Sequence, residues 1–345
     1  MMKSLLERLS KWTIYAVVFF IPLFFLPFTL ESYEFNKLFL LFTLVIICFS
    51  AWIAKLIFIE RAFVFKRTPL DVWALLFFVA LVISTLFSQD WRNSVFGLYG
   101  RFSNSLIEYG LWTAFYFLIT QNLTIKEGKQ TLNIFLYSSF FVGASFLCWF
   151  FGLITLLPIS KAIFVSTLGI SPQAMAIFTA LSLIILSGEW IFWKAQDKVL
   201  TIFYSALFLL DLFILVLINF WVAWIILLIV LTLLIITSLF SGLLQDKEVN
   251  LLALPLFGVF ISLLLLLFPS FFNIAPTPSE ILLNHQTSWK VSIEALRNFP
   301  LTGVGLGNWR EAFMSFKPLA FNQVAFWDYR FDTPTSYFAY LLGTT

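Results

Sequence analysis

Three glycines at alternate positions, Gly303, Gly305 and Gly307 in NFPLTGVGLGNW (Asn298–Trp309), are the densest sign of chemistry in this 345-residue sequence. Glycine lets backbone approach a phosphate closely, and helix N-termini attract anions through their free N–H groups. Around the stretch lie ten charged residues: Glu280, Lys290, Glu294, Arg297, Arg310, Glu311, Lys317, Asp328, Arg330 and Asp332. The one histidine of the chain, His285, lies with them. An arginine fork engages phosphate oxygens two at a time and stays charged. A histidine titrates near neutrality and suits proton transfer. Arg101, which follows GLYG in an earlier polar stretch, is a further cation of the phosphate-binding type.

The neighbouring residues say what positions these groups. SWKVSIEALRN places Trp289, Ile293 and Leu296 at i, i+4 and i+7, with Lys290, Glu294 and Arg297 on a separate polar stripe, which predicts a surface helix. Pro300 blocks its continuation. NWREAFMSF reads as a second short helix starting near Asn308, a good cap residue. The glycines therefore form a turn between two helices. A dinucleotide site needs a preceding strand, a following helix and a downstream acid in one βαβ unit, and the sequence shows no such unit. Two uses of the glycines stay open: a phosphate held ahead of the second helix, or a purely conformational role.

Composition sets the wider frame. Hydrophobic residues make up 61% of the chain and charged residues 11%, with a mean hydropathy of +0.96, the balance of an integral membrane protein. The 45 Phe and 13 Trp suit lipid-facing surface and headgroup belts. A formal charge of +3 is too small to point to nucleic acid. Cys48 and Cys148 sit in apolar runs, as small hydrophobes and not as a disulfide or metal pair.

The predicted fold class is all-α, a polytopic transmembrane helix bundle. At about 20 apolar residues per crossing, nine complete spans are predicted. They lie near Trp12–Leu30, Asn36–Ile59, Leu70–Ser88, Ser105–Gln121, Leu132–Leu157, Gln173–Trp193, Leu200–Ile218, Trp221–Ser241 and Asn250–Phe268. The run from Val199 to Leu244 is too long for one crossing and is divided at INFWVAW. Residues 1–268 thus form the membrane bundle, 269–332 a large helical loop, and 333–345 the start of a tenth span. A helix that stops inside hydrocarbon leaves carbonyls unpaired, so the chain is expected to continue past Thr345.

Basic residues are retained on the cytoplasmic side. With the N-terminus inside, the inner segments hold Lys3, Arg8, Lys11, Arg61, Lys66, Arg67, Lys126, Lys129, Lys194, Lys198 and Lys247. The outer short loops hold only Lys37, Arg92, Arg101 and Lys161, and the large loop then lies outside. No small-residue cleavage site follows the first span, which is expected to stay as an anchor. Asp211 stands inside the seventh span, where an acid is costly and faces a partner or a cavity.

Taken in order, Trp289, the EAL of Glu294–Leu296, PLTGVGLGNW at Pro300–Trp309 and a polar approach to a new span resemble the O-antigen ligase and polymerase family. Its members carry a Trp, a short helix, a glycine stretch of the PllGvGpGnf type and then a span. TLGISPQAMAIFTALSL (Thr167–Leu183) is similar to the family's approach to its sixth span, and FGLYGRFSNSL (Phe96–Leu106) to its early outer loop with a basic residue. The family also has its large outer loop between spans nine and ten. The resemblance implies glycosyl transfer at the outer face of the bacterial cytoplasmic (inner) membrane. A glycan carried on a polyprenyl diphosphate passes en bloc to an acceptor hydroxyl on lipid, glycan or protein. The donor is already activated, so cations for the leaving phosphate and a base for the acceptor proton suffice, and neither metal nor other cofactor is implied. The implied partners are donor, acceptor and membrane lipid, with no nucleic acid.

The resemblance makes Arg101, Lys290, Arg297, Arg310 and Arg330 the candidate substrate-binding cations, and His285 and Asp332 the candidate catalytic groups. His285 stands four residues before Trp289, where the family often has a basic residue. Arg330 and Asp332, in WDYRFDT, stand just outside the last span, where a cation meets a membrane-held diphosphate and an acid replaces a missing base. Each has a plainer alternative: an interfacial anchor for Arg101, an exposed loop histidine for His285, solvated helix faces for Lys290, Arg297 and Arg310, and a local Asp328–Arg330–Asp332 cluster worth little in water. The chain departs from the family twice. Pro334 and Thr335 stand where ligases carry His-Asn, and INFWVAW replaces a Ser-Arg-Gly element at the eighth span. A non-catalytic member, or a transporter of lipid-linked glycan or other hydrophilic cargo, is the alternative.

Overall fold

A computed structural model describes residues 2–29, 31–60, 65–153, 166–169, 171–192, 198–241, 251–269, 283–324 and 326–345. Arg61, Lys161, Lys194, Lys247 and Glu280, counted above among the loop charges, lie outside the described residues. The helices run α1 (Met2–Phe20), α2 (Glu34–Lys55), α3 (Asp71–Leu86), α4 (Trp91–Phe96), α5 (Leu106–Asn122), α6 (Ile125–Phe150) and α7 (Pro172–Phe192). They continue with α8 (Lys198–Ile218), α9 (Trp221–Phe240), α10 (Ala253–Leu267), α11 (His285–Asn298), α12 (Trp309–Phe316) and α13 (Tyr337–Thr344). Among the described residues there is no strand. Five helical segments are long and apolar enough to cross a membrane: Glu34–Glu60, Ile125–Phe150, Pro172–Phe192, Lys198–Ile218 and Trp221–Phe240. Over its described residues the chain is an all-helical membrane protein. Asp71–Leu86 and Ala253–Leu267 are shorter apolar helices. The expected first span differs most: α1 starts well before Trp12 and stops at Phe20, where Pro22 removes a backbone donor.

The chain divides into two compact units, one of Met1–Val17, Leu26–Glu127 and Glu280–Thr345, the other of Val18–Phe25 and Gly128–Ser279. In the second, α6 to α10 bury Phe146, Met175, Leu183, Phe208, Ile214 and Trp224. The long apolar run is broken at Asn219, which adopts a left-handed backbone at φ 48°. Asparagine tolerates that conformation, and its amide is held at both ends: Trp224 Nε1 donates to Oδ1 at 3.2 Å, and Nδ2 donates to the Pro269 carbonyl at 3.2 Å. Polar groups point inward. Asp211 is fully buried, with Ser139 Oγ 3.5 Å from its Oδ2, and Ser139 also donates to Ser182 at 2.8 Å.

In the first unit α3 shows the same inside-out pattern. Val72, Trp73, Leu76, Phe77, Val79 and Ile83 are exposed, while Ser84 and Thr85 are buried, as suits a helix whose outer solvent is lipid. The loop helices build a core from Val291, Val304, Leu306, Trp309, Phe313 and Tyr340, joined by Leu81 of α3. Helix α11 forms as expected but turns a different side inward. Trp289 and Ile293 are exposed, and the buried side is Ser288, Val291, Ser292 and Ala295. Small side chains let α13 come close, so that Ser292 Oγ donates to the Ala339 carbonyl at 2.7 Å, while Trp289 packs on Phe338 with ring centroids 5.9 Å apart. Asn308 precedes α12 without capping it. Its amide donates instead to the Asp90 carbonyl, Ser94 Oγ and the Val304 carbonyl, each at 3.2 Å.

Candidate active site

The glycine stretch is buried, and the N–H groups of its three glycines all have partners within the protein, Gly303 donating to the Phe299 carbonyl at 3.0 Å. Val304 and Gly305 donate to the carbonyls of Gly343 and Thr344 at 3.0 and 3.1 Å, so the loop closes on the end of α13. Gly307 donates to the Tyr340 hydroxyl at 2.8 Å. Ser84 on α3 ties the clasp, donating to the Thr302 and Thr344 carbonyls at 2.9 and 2.6 Å. All three glycines have left-handed backbones, at φ 57°, 96° and 71°. A Cβ on Gly303 would meet the Thr345 nitrogen at 2.6 Å, and one on Gly305 would meet Ser94 Oγ at 2.8 Å. The glycines are therefore conformational. The N–H groups of the three glycines are engaged by Phe299, Thr344 and Tyr340.

The same clasp positions Arg101. The segment before α5 curls through left-handed Gly97, Gly100, Phe102 and Asn104, at φ 78°, 90°, 59° and 56°. Ser105 caps α5, accepting from the Glu108 N–H at 3.1 Å, and the Glu108 carboxylate reaches back to the Asn104 N–H at 2.6 Å. Phe102 packs on Phe35 with centroids 5.5 Å apart. Tyr340, already holding Gly307, donates to the Asn104 carbonyl at 3.3 Å. One phenol thus joins α13, the glycine loop and the Arg101 loop, a role that the pattern SYFAYLL does not announce.

Arg330 and Asp332 flank a residue that fixes their segment to the core. Phe331 is buried against Phe313 and Phe321, at 5.5 and 6.2 Å between centroids, and anchors the segment that carries both charges. Arg310 occupies the first turn of α12. Arg101, Arg310, Asp328, Arg330 and Asp332 line one cavity of about 490 Å³. Pro334 and Thr335, the two positions that depart from the family, line it too. Thr335 fastens this wall to α11: its hydroxyl donates to the Leu283 carbonyl, and its N–H donates to Ser288 Oγ at 3.2 Å.

Three guanidinium groups face two carboxylates, an excess of one positive charge. Asp332 pairs with Arg101, Oδ2 to Nη1 at 3.4 Å, across 231 positions of the sequence and, among the described residues, not within a local Asp328–Arg330–Asp332 cluster. The pair is open to water, with 49% and 27% of the side chains exposed, so it is weak and exchangeable. An arginine set of this kind engages phosphate oxygens, and a carboxylate beside it accepts a proton from a hydroxyl. His285, Lys290 and Arg297 stand elsewhere. They are exposed on α11 and do not line the cavity, and Arg297 pairs with Glu294 at 2.6 Å.

Compared with family models, curated proteins and solved structures, the chain matches none.

Proposed function

We propose that this protein is a metal-independent membrane glycan ligase or polymerase of the O-antigen ligase kind. It transfers a polyprenyl-diphosphate-linked oligosaccharide to an acceptor hydroxyl at the outer face of the bacterial inner membrane. In this proposal nine spans and the start of a tenth cross that membrane, the N-terminus is cytoplasmic and the α11–α12 region lies outside. The observation that carries it is the convergence of Arg101, Arg310, Arg330 and Asp332 on one cavity beside the start of α13, where a membrane-held diphosphate would present its charge.

The steps follow from the charges. The diphosphate takes Arg101, Arg310 and Arg330, and Arg101 leaves Asp332 as it does so. The freed Asp332 carboxylate accepts the proton of the acceptor hydroxyl as its oxygen bonds to the anomeric carbon. The carbon–oxygen bond to phosphate breaks, and the polyprenyl diphosphate leaves with its charge held by the arginines. In cells making the cognate glycan, Arg101→Ala and Arg330→Ala are each expected to accumulate unprocessed lipid-linked glycan, with transfer reduced about a hundredfold. His285→Ala, outside the cavity, keeps transfer. Normal glycan attachment in both arginine variants would remove the substrate assignment.

A second reading, transport of a hydrophilic or lipid-linked cargo, is favoured by one observation: the Asp211, Ser139 and Ser182 cluster buried among the apolar helices of the second unit.

A further inference from the structure

At the opposite end of the first unit, the C-terminal ends of α2 and α5 and the start of α3 border two hollows. One is a cavity of about 230 Å³ lined by charge, with Glu7, Lys11, Lys55, Glu60, Lys66 and Glu127. The other is an apolar groove of about 330 Å³ between Phe49, Phe65, Leu75, Ala114, Phe117 and Leu118. Trp52 and Gln121 line both, so the hollows share a wall. The groove residues on the helices stand one to two turns inside the polar helix ends. Phe49 and Trp52 precede Lys55 on α2, Phe117 and Leu118 precede Gln121 on α5, and Leu75 follows Asp71 on α3. Charge at the helix ends with apolar surface a turn or two deeper is the profile of headgroups above acyl chains.

The charges are unevenly paired. Glu7 and Glu60 share the single ammonium of Lys55, at 3.4 and 3.2 Å. Glu60 reaches it because the π turn Leu56–Glu60 brings residue i+5 back over residue i, a local irregularity that recurs at functional sites. Lys11 is matched one to one by Glu127. Among the described residues Lys66 has no carboxylate partner, and its backbone is fixed by Gln121: Lys66 N–H donates to Oε1 and Nε2 donates to the Lys66 carbonyl, each at 2.8 Å. The cavity thus holds an excess negative charge around Lys55 and an unanswered positive charge at Lys66, and is close to neutral as a whole.

We propose that the paired hollows bind one phospholipid with a zwitterionic headgroup, its phosphate at Lys66, its ammonium at the Glu7–Glu60 pair and an acyl chain in the groove beside Trp52. An anionic headgroup leaves the extra carboxylate unanswered, and a soluble zwitterion leaves the groove empty. The site is independent of the transfer reaction proposed above and shares no residue with the arginine cavity.

The test is native mass spectrometry of the full chain released from bilayer discs holding equal amounts of phosphatidylethanolamine and phosphatidylglycerol with identical acyl chains. The wild type is expected to retain one phosphatidylethanolamine in preference. Lys66→Ala lowers that retention about fivefold, the equilibrium weight of one surface ion contact. Ala114→Trp, which fills the groove and leaves the charges alone, lowers it at least as much. Melting temperatures and helical content of both variants, measured alongside, separate loss of the site from loss of the fold. If Ala114→Trp does not fold, Ala114→Leu replaces it, with the same expectation. Equal retention of the two lipids, preference for phosphatidylglycerol, no retained lipid, or folded variants that bind as the wild type does would each overturn the proposal.

Discussion

Gly303 and Gly100 both hold left-handed backbone, at φ 57° and 90°, but their surroundings differ. A Cβ at Gly303 would drive into the backbone of Thr344 and Thr345, whereas one at Gly100 would meet nothing within 4 Å. Gly303→Ala therefore carries strain and a clash with main chain that cannot swing aside, roughly 3 kcal/mol or more, while Gly100→Ala carries only the conformational term of about 1 kcal/mol. Thermal unfolding of the two detergent-solubilised variants should show the larger loss at Gly303, and the reverse order would mean that the clasp on α13 is absent. The glycines were legible in the sequence as a turn. Their second duty was not, because the partner carbonyls of Gly343 and Thr344 lie some forty residues away in the chain.

At the scale of elements, α1 and the start of α6 are joined by Lys11 and Glu127. The Glu127 hydrogen bond, against the opposing effect of burial, raises the Lys11 ammonium above its ordinary 10.5. A raised value in the folded state means that the pair's contribution is complete below pH 10.5 and is lost as pH climbs through the raised value. Glu127→Gln should lower the melting temperature at neutral pH by the worth of one partly exposed pair, up to about 1 kcal/mol, with the two unfolding curves converging in strongly alkaline buffer. A difference that persists there would mean that the lysine charge is not the source. Helix positions were readable from apolar runs and breakers: α9 starts at Trp221 because Asn219 interrupts the run. Which side of α11 turns inward was not readable. Apolar periodicity pointed to Trp289 and Ile293, but close approach of α13 selected the small Ser288 and Ser292.

At the scale of the whole molecule, each compact unit carries a polar cluster on which one of the two functional readings rests. The first has the arginine cavity, and the second has Asp211 beside Ser139 and Ser182. Asp211→Asn keeps an acceptor for Ser139 and removes a potential charge from the interior. If transfer occurs in the arginine cavity, the variant should match the wild type in transfer and unfold no earlier. Loss of transfer in a folded Asp211→Asn protein would move the function into the second unit and favour transport. That experiment weighs the two readings against each other, which neither cluster does alone.

Composition pointed to a membrane protein, and continuous apolar runs of about 20 residues, too long and unalternating for barrel strands, pointed to helices. Local pattern also determined the turn at the glycines and the separate helices around it. Only the tertiary structure decided which charges meet. Arg101 and Asp332 pair across more than two hundred residues: Tyr340 ties the Arg101 loop to the glycine loop and α13, and Phe331 anchors the segment of Arg330 and Asp332 on Phe313 of α12. His285 stayed outside that cavity although it is the residue type best suited to a base. Residue type states what a side chain can do, and the packing of distant segments states what it can reach.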